Sequence, residues 1–191
     1  MNIKTLIAAA TLGAASGTAL AHPGHEVASF ATGFAHPFGG LDHLLAMFAV
    51  GLYAARQPGA ARWALPGGFV LAMLAGAGLG AAGVAMPAVE SGIALSVLLL
   101  GLMIALAARL PLATSLPMVA AFALFHGFAH HAEKGGAALA VYAMGFALAT
   151  AVLHAAGYLL ARWMPETAFA QRSKRALGVA IAGFGAVMLG A

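Results

Sequence analysis

The chain has 191 residues, of which 63% are hydrophobic and 7% charged, with a net charge of +4 and a mean hydropathy of +0.96. A soluble domain carries about 25% charged residues, so this chain cannot coat its core against water, and one membrane domain fills its length. The nine basic residues are scattered through short loops, which argues against nucleic acid as a partner, and the absence of cysteine excludes disulfides, iron–sulfur clusters and thiolate metal sites.

Residues 1–21 read as a cleaved secretory signal, with Lys4 as the positive start, a mildly apolar stretch to Leu20, and Ala19-Leu20-Ala21 as the cleavage site. The remaining domain, residues 22–191, would begin His22-Pro23-Gly24-His25-Glu26. Its new α-amine with His22 and His25 offers weak capture of a cation, although a short leader without a role is the plainer reading. Six apolar segments follow, near 27–55, 65–84, 89–108, 116–133, 136–163 and 176–191, and a span needs roughly 20 apolar residues. The first is interrupted at Pro37 to Gly40. The expected architecture is therefore an all-α integral membrane protein with six transmembrane helices after a cleaved signal peptide. With the mature N-terminus outside, the inner loops carry Arg56, Arg62, Arg109, Arg162, Arg172, Lys174 and Arg175, and the outer side carries Lys134, which is a strong positive-inside bias. The run Gly76 to Gly83 reads as close helix packing, with no chemistry assigned to it.

Ionisable groups within membrane segments are costly and are functional candidates for that reason. They gather in two stretches, HPFGGLDHLLAMFAVG (His36–Gly51) and FHGFAHHAE (Phe125–Glu133). At about 100° per residue, His126, His130 and Glu133 share one helical face, within about 60° of one another, while His131 points away. Imidazoles at i and i+4 can hold one metal ion. Asp42 and His43 are sequence neighbours and cannot share a helical face. The break at Pro37 to Gly40 would let His36 fold back toward His43, provided it lines a cavity. Met47, one turn below His43, reads as packing more than as a soft ligand. Glu90 opens the third helix, where a dipole-capping role and a place in an outer vestibule are both open. His154 reads as packing. Imidazole and carboxylate donors without thiolate suit a divalent ion such as Ni²⁺ or Co²⁺, and the order of affinities does not choose between ions.

With these residues on the page, the chain resembles the HupE/UreJ family of hydrogenase and urease accessory proteins. The resemblance lies in HPFGGLDHLLAMFAVGLYA and the later FHGFAHHAE, with a His-rich start and six spans. It implies nickel uptake across the bacterial inner membrane for nickel–iron hydrogenase or urease, with His36, Asp42, His43, His130 and Glu133 as the functional residues. A separate group of nickel/cobalt permeases carries H-x4-D-H; the spacing here is H-x5-D-H, so that likeness is one of chemistry only.

The reading that follows is a non-enzymatic permease with the ion as cargo, no permanently bound cofactor, and the bilayer as its other partner. A periplasmic ion would meet His36, Asp42 and His43, then the His126/His130/Glu133 face, with Glu90 at the mouth. The alternatives are an intramembrane metal-dependent hydrolase and a haem cytochrome, for which His126 and His154 are the only deep pair. No ATP-binding motif is present. The choice of nickel or cobalt, the recipient enzyme, the energy source and the oligomeric state are left open.

Overall fold

The computed structural model describes residues 29–133 and 139–191, with helical backbone alone for 131–133. The expected signal segment (residues 1–21), His22, His25 and Lys134, and the side chains of His131 and Glu133, lie outside the described residues. Within them the protein is helical: α1 (Phe30–Gly39), α2 (Leu41–Ala54), α3 (Ala61–Ala81), α4 (Val89–Ala105), α5 (Leu112–Glu133), α6 (Leu139–Trp163) and α7 (Ala168–Leu189). Three stretches are long and apolar enough to cross a membrane: α3, Leu112–His130 of α5, and α6. Helices α2 and α4 are apolar but shorter.

Two boundaries differ from expectation. The interruption of the first segment is narrower than Pro37 to Gly40: Pro37 lies inside α1, and the chain breaks only at Gly40, which is extended (φ −112°, ψ 122°). A helix tolerates the one hydrogen bond that proline removes when packing holds it, and Pro37 is buried. The last helix starts at Ala168, eight residues before the apolar segment. Thr167 caps it by accepting from the Ala170 amide at 3.3 Å, so its charged first turns are helical although they are not apolar.

Helix α2 is the hub. It packs against α4 and α6 and touches α1, α3 and α7. Apart from Asp42 and His43 its sequence LDHLLAMFAVGLYA is apolar, and from Ala46 to Ala54 every residue but Phe48 is buried, as a helix packed on most sides requires. The other strong pairings are α3 with α5, α4 with α7, and α1 with α6. Small residues set these approaches. A Cβ on Gly76 would overlap the Leu124 carbonyl of α5, and one on Gly127 would overlap the Met73 carbonyl of α3, so the two backbones touch. Of the glycine run in α3, Gly76 makes this contact, while Gly78 faces open space. The outer surface is apolar as well: Leu71, Trp63, Met144, Leu159 and Val187 are all more than 60% exposed, which suits a lipid solvent.

Candidate metal-handling site

The site starts at Gly40. Its extended conformation separates α1 from α2, and its carbonyl takes the first α2 amide, that of Leu44, at 3.0 Å. No side chain caps α2 from the Gly40 position. Instead the Asp42 carboxylate folds back over the helix start. Its Oδ1 accepts from the His43 amide at 2.7 Å and from His43 Nδ1 at 2.9 Å. Sharing a helical face is therefore unnecessary: a short acidic side chain in the first turn reaches its neighbour's backbone and ring together. A Cβ on Gly40 would stand 2.6 Å from that carboxylate oxygen, so glycine keeps the space open.

Four imidazoles collect behind this turn. The ring centres of His43 and His126 are 4.7 Å apart, His43 and His130 4.8 Å, His36 and His130 4.7 Å, and His36 and His43 5.9 Å. The cluster joins α1, α2 and α5. It is graded in exposure: His36 and Asp42 are half-buried, His43 is 6% exposed, and His126 and His130 are fully buried. Tyr142 and Phe146 of α6 form the wall, with His130 stacked on Phe146 at 4.3 Å.

Hydrogen bonds orient two of these rings. The Ser96 hydroxyl of α4 donates to the Ile93 carbonyl at 2.7 Å. The same oxygen lies 2.9 Å from His126 Nε2; while its one proton goes to the carbonyl, that nitrogen is the donor. His126 Nδ1 then keeps its lone pair, and it has no partner. The Asp42 carboxylate, which only accepts, takes the proton of His43 Nδ1, and the other ring nitrogen, Nε2, is buried without a partner. Both nitrogens of His130 also lack partners. Buried polar atoms are ordinarily satisfied, so this concentration of lone pairs in one place calls for a function. Metal-ligating histidines are typically oriented in this way by a carboxylate or hydroxyl behind them. Among the described residues, no three His, Asp or Glu side chains converge on one ion as they stand, so closing on a cation requires side-chain rotation.

A family model described as "HupE / UreJ protein" matches residues 9–188. A curated relative, Protein HupE of Rhizobium leguminosarum bv. viciae, is 40% identical over 188 residues, covering 98% of this chain and 96% of its own. The chain belongs to the HupE/UreJ family. No solved structure matches it. In this HupE/UreJ protein, the fold brings together His36, Asp42, His43, His126 and His130 from the two stretches read in the sequence. Glu90 is exposed in the first turn of α4 and takes part in none of these ring contacts or hydrogen bonds. Glu133 ends α5, three residues beyond His130.

Sequence reasoning missed three contributors. Ser96 orients His126 from a different helix, and only its hydroxyl in the apolar run of α4 hinted at a role. Phe69 of α3 is fully buried, with its ring centre 5.8 Å from His126 and 5.1 Å from His154. It separates the cluster from a deeper imidazole whose two nitrogens have no partner. Thr150 of α6 aims its hydroxyl at two thioethers, Met47 Sδ at 3.2 Å and Met73 Sδ at 3.6 Å. Met47 is thus both core packing and part of a polar contact.

Proposed function

We propose that the protein is a permease that carries Ni²⁺, with Co²⁺ as the second candidate cargo, across the bacterial inner membrane for the maturation of nickel enzymes such as hydrogenase or urease. The observation that carries this reading is the graded four-histidine cluster, in which His43, His126 and His130 present buried nitrogens without partners. Family membership supports it. Such donors suit a borderline divalent ion. Their incomplete convergence suits cargo, because transport needs a site that releases as readily as it captures.

In this reading α1 and α2 together make one broken span, and α3 to α7 complete six, with the mature N-terminus periplasmic. Helix alternation then puts Glu90 and Glu133 at the same end as Asp42, where three carboxylates would draw a dication to the mouth. The ion would pass from His36 and Asp42 to His43, His130 and His126, and then beyond Phe69 to His154. The protein acts without a resident cofactor and without covalent chemistry. The Ser96–His126 pair does not argue for a hydrolase. The Ser96 hydroxyl has a backbone carbonyl within reach as well as the ring, and His126 Nδ1 has no partner that would orient the ring as a general base.

The test is uptake of radioactive nickel, cobalt and zinc into vesicles reconstituted with the purified protein. Saturable nickel entry that is lost in His130→Ala, with the protein still inserted, is the expected result. Entry no faster than in empty vesicles, at every metal and with a potential of either sign, would rule the permease out.

A further inference from the structure

The opposite end of the molecule holds a second polar cavity that plays no part in the histidine cluster. It has a volume of about 310 Å³ and lies where four segments meet. Arg56 and Gln57 enter from the loop after α2, Arg109 from the α4–α5 connection, Arg162 from the last turn of α6, and Gln171 and Lys174 from the first turns of α7. One acid, Glu166, borders it and is already engaged. It accepts from Gln171 Nε2 and lies 3.7 Å from the Lys174 ammonium. Among the described residues, no carboxylate pairs with Arg56, Arg109 or Arg162.

The positive-inside pattern requires basic loops, but it does not require them to converge. Like charges left to themselves spread into solvent. Here Lys174 is only 6% exposed and Gln57 5%, and Arg56 Nη1 and Gln57 Oε1 are buried without partners. Burial first, then the charges of Arg109 and Arg175, pulls the Arg56 guanidinium below its ordinary pKa, with Glu166 opposing. Positive charge is in excess and partly desolvated, and one donor and one acceptor have no partner among the described residues.

We infer that this cavity binds a phosphate-bearing anion, with the headgroup of an anionic phospholipid as the favoured source. Guanidinium forks match phosphate oxygens geometrically. A phosphatidylglycerol headgroup also carries hydroxyls, which would satisfy Gln57 Oε1 while the phosphate meets Arg56. Basic pockets between helices at the cytoplasmic face are suited to such headgroups. The bound lipid would tie the α2–α3 loop to α4, α6 and α7.

The experiment follows the unfolding temperature of the purified full chain in a neutral detergent. Phosphatidylglycerol, phosphatidylcholine and inorganic phosphate are each titrated, and lipid retention is read in parallel by native mass spectrometry. A saturable rise with phosphatidylglycerol and none with phosphatidylcholine is expected. The Arg109→Gln/Arg162→Gln variant should bind roughly tenfold or more weakly, as expected when charged hydrogen bonds are lost. The Arg62→Gln/Arg172→Gln variant loses the same charge away from the cavity and should respond like the parent. Should the first variant fold poorly, Arg109→Gln alone is compared by lipid retention. A rise with inorganic phosphate alone, lost in the same variant, would keep the site and assign it to a soluble phosphate. No response to either ligand, or equal loss in both double variants, would overturn the site.

Discussion

Asp42 and Ser96 do the same thing to two different imidazoles: each holds one ring nitrogen and leaves the other buried without a partner. Neither needs to touch the cargo to matter. Replacing such an orienting partner typically costs 10–100-fold in metal affinity or activity. Asp42→Asn keeps the shape but removes both the charge and the unambiguous acceptor, so nickel uptake at limiting concentration should fall by about that factor, with normal protein level. Ser96→Ala frees the His126 ring to change tautomer while leaving every charge in place. It should raise the nickel concentration for half-maximal uptake more than it lowers the maximal rate, and a fall in the maximal rate alone would sink the orienting role. Glu90→Gln separates two readings of that residue. A capping role is worth only about 0.3–1 kcal/mol and would leave transport intact. A vestibule role predicts loss at low nickel and recovery as nickel rises, and this is the expected outcome.

Among the elements, α5 carries the two fully buried histidines of the cluster, and its position is set by a residue with no chemistry. Gly127 lies between His126 and the turn of His130, and its missing side chain lets α5 rest on the backbone of α3 at Met73. Gly127→Ala would force the two helices apart at the level of His126. Overpacking of this kind costs about 1–3 kcal/mol, so a lower unfolding temperature should accompany reduced uptake. Unchanged stability would mean that the helices part without cost. The glycine run of α3 was visible in the sequence as packing, but its partner was not, because Gly127 sits inside a motif whose histidines drew attention to chemistry. In the same way, Pro37 looked like the break in the first segment because proline is the usual punctuation. Burial holds it in α1, and the single extended residue Gly40 makes the turn. Ser96 was illegible for a different reason: its partner is thirty residues away, and no spacing rule connects them.

For the whole molecule, the class of fold was legible because lipid as a solvent imposes itself on composition, and the two histidine-bearing stretches could be placed because ionisable residues are so rare here. The count of spans follows less directly. The structure has seven helices among the described residues, three of them long and apolar enough to cross by themselves. Six crossings depend on α1 and α2 acting as one span and on α7 entering the bilayer beyond its charged first turns. That arrangement puts the C-terminus outside. A reporter active only in the cytoplasm, fused after Ala191, should be silent, and activity there would overturn both the count and the orientation.

The paired thioethers beneath the histidines carry a liability. The Thr150 hydroxyl has one proton to share between Met47 and Met73, so at any moment one sulfur has no donor. Thioethers favour soft monovalent ions over nickel. Silver(I) entering by the same mouth would therefore meet two soft donors around one hydroxyl, and should leave them slowly. The protein should be poisoned by traces of silver, with nickel unable to compete it away, and Met47→Leu with Met73→Leu should lift the poisoning while sparing nickel uptake.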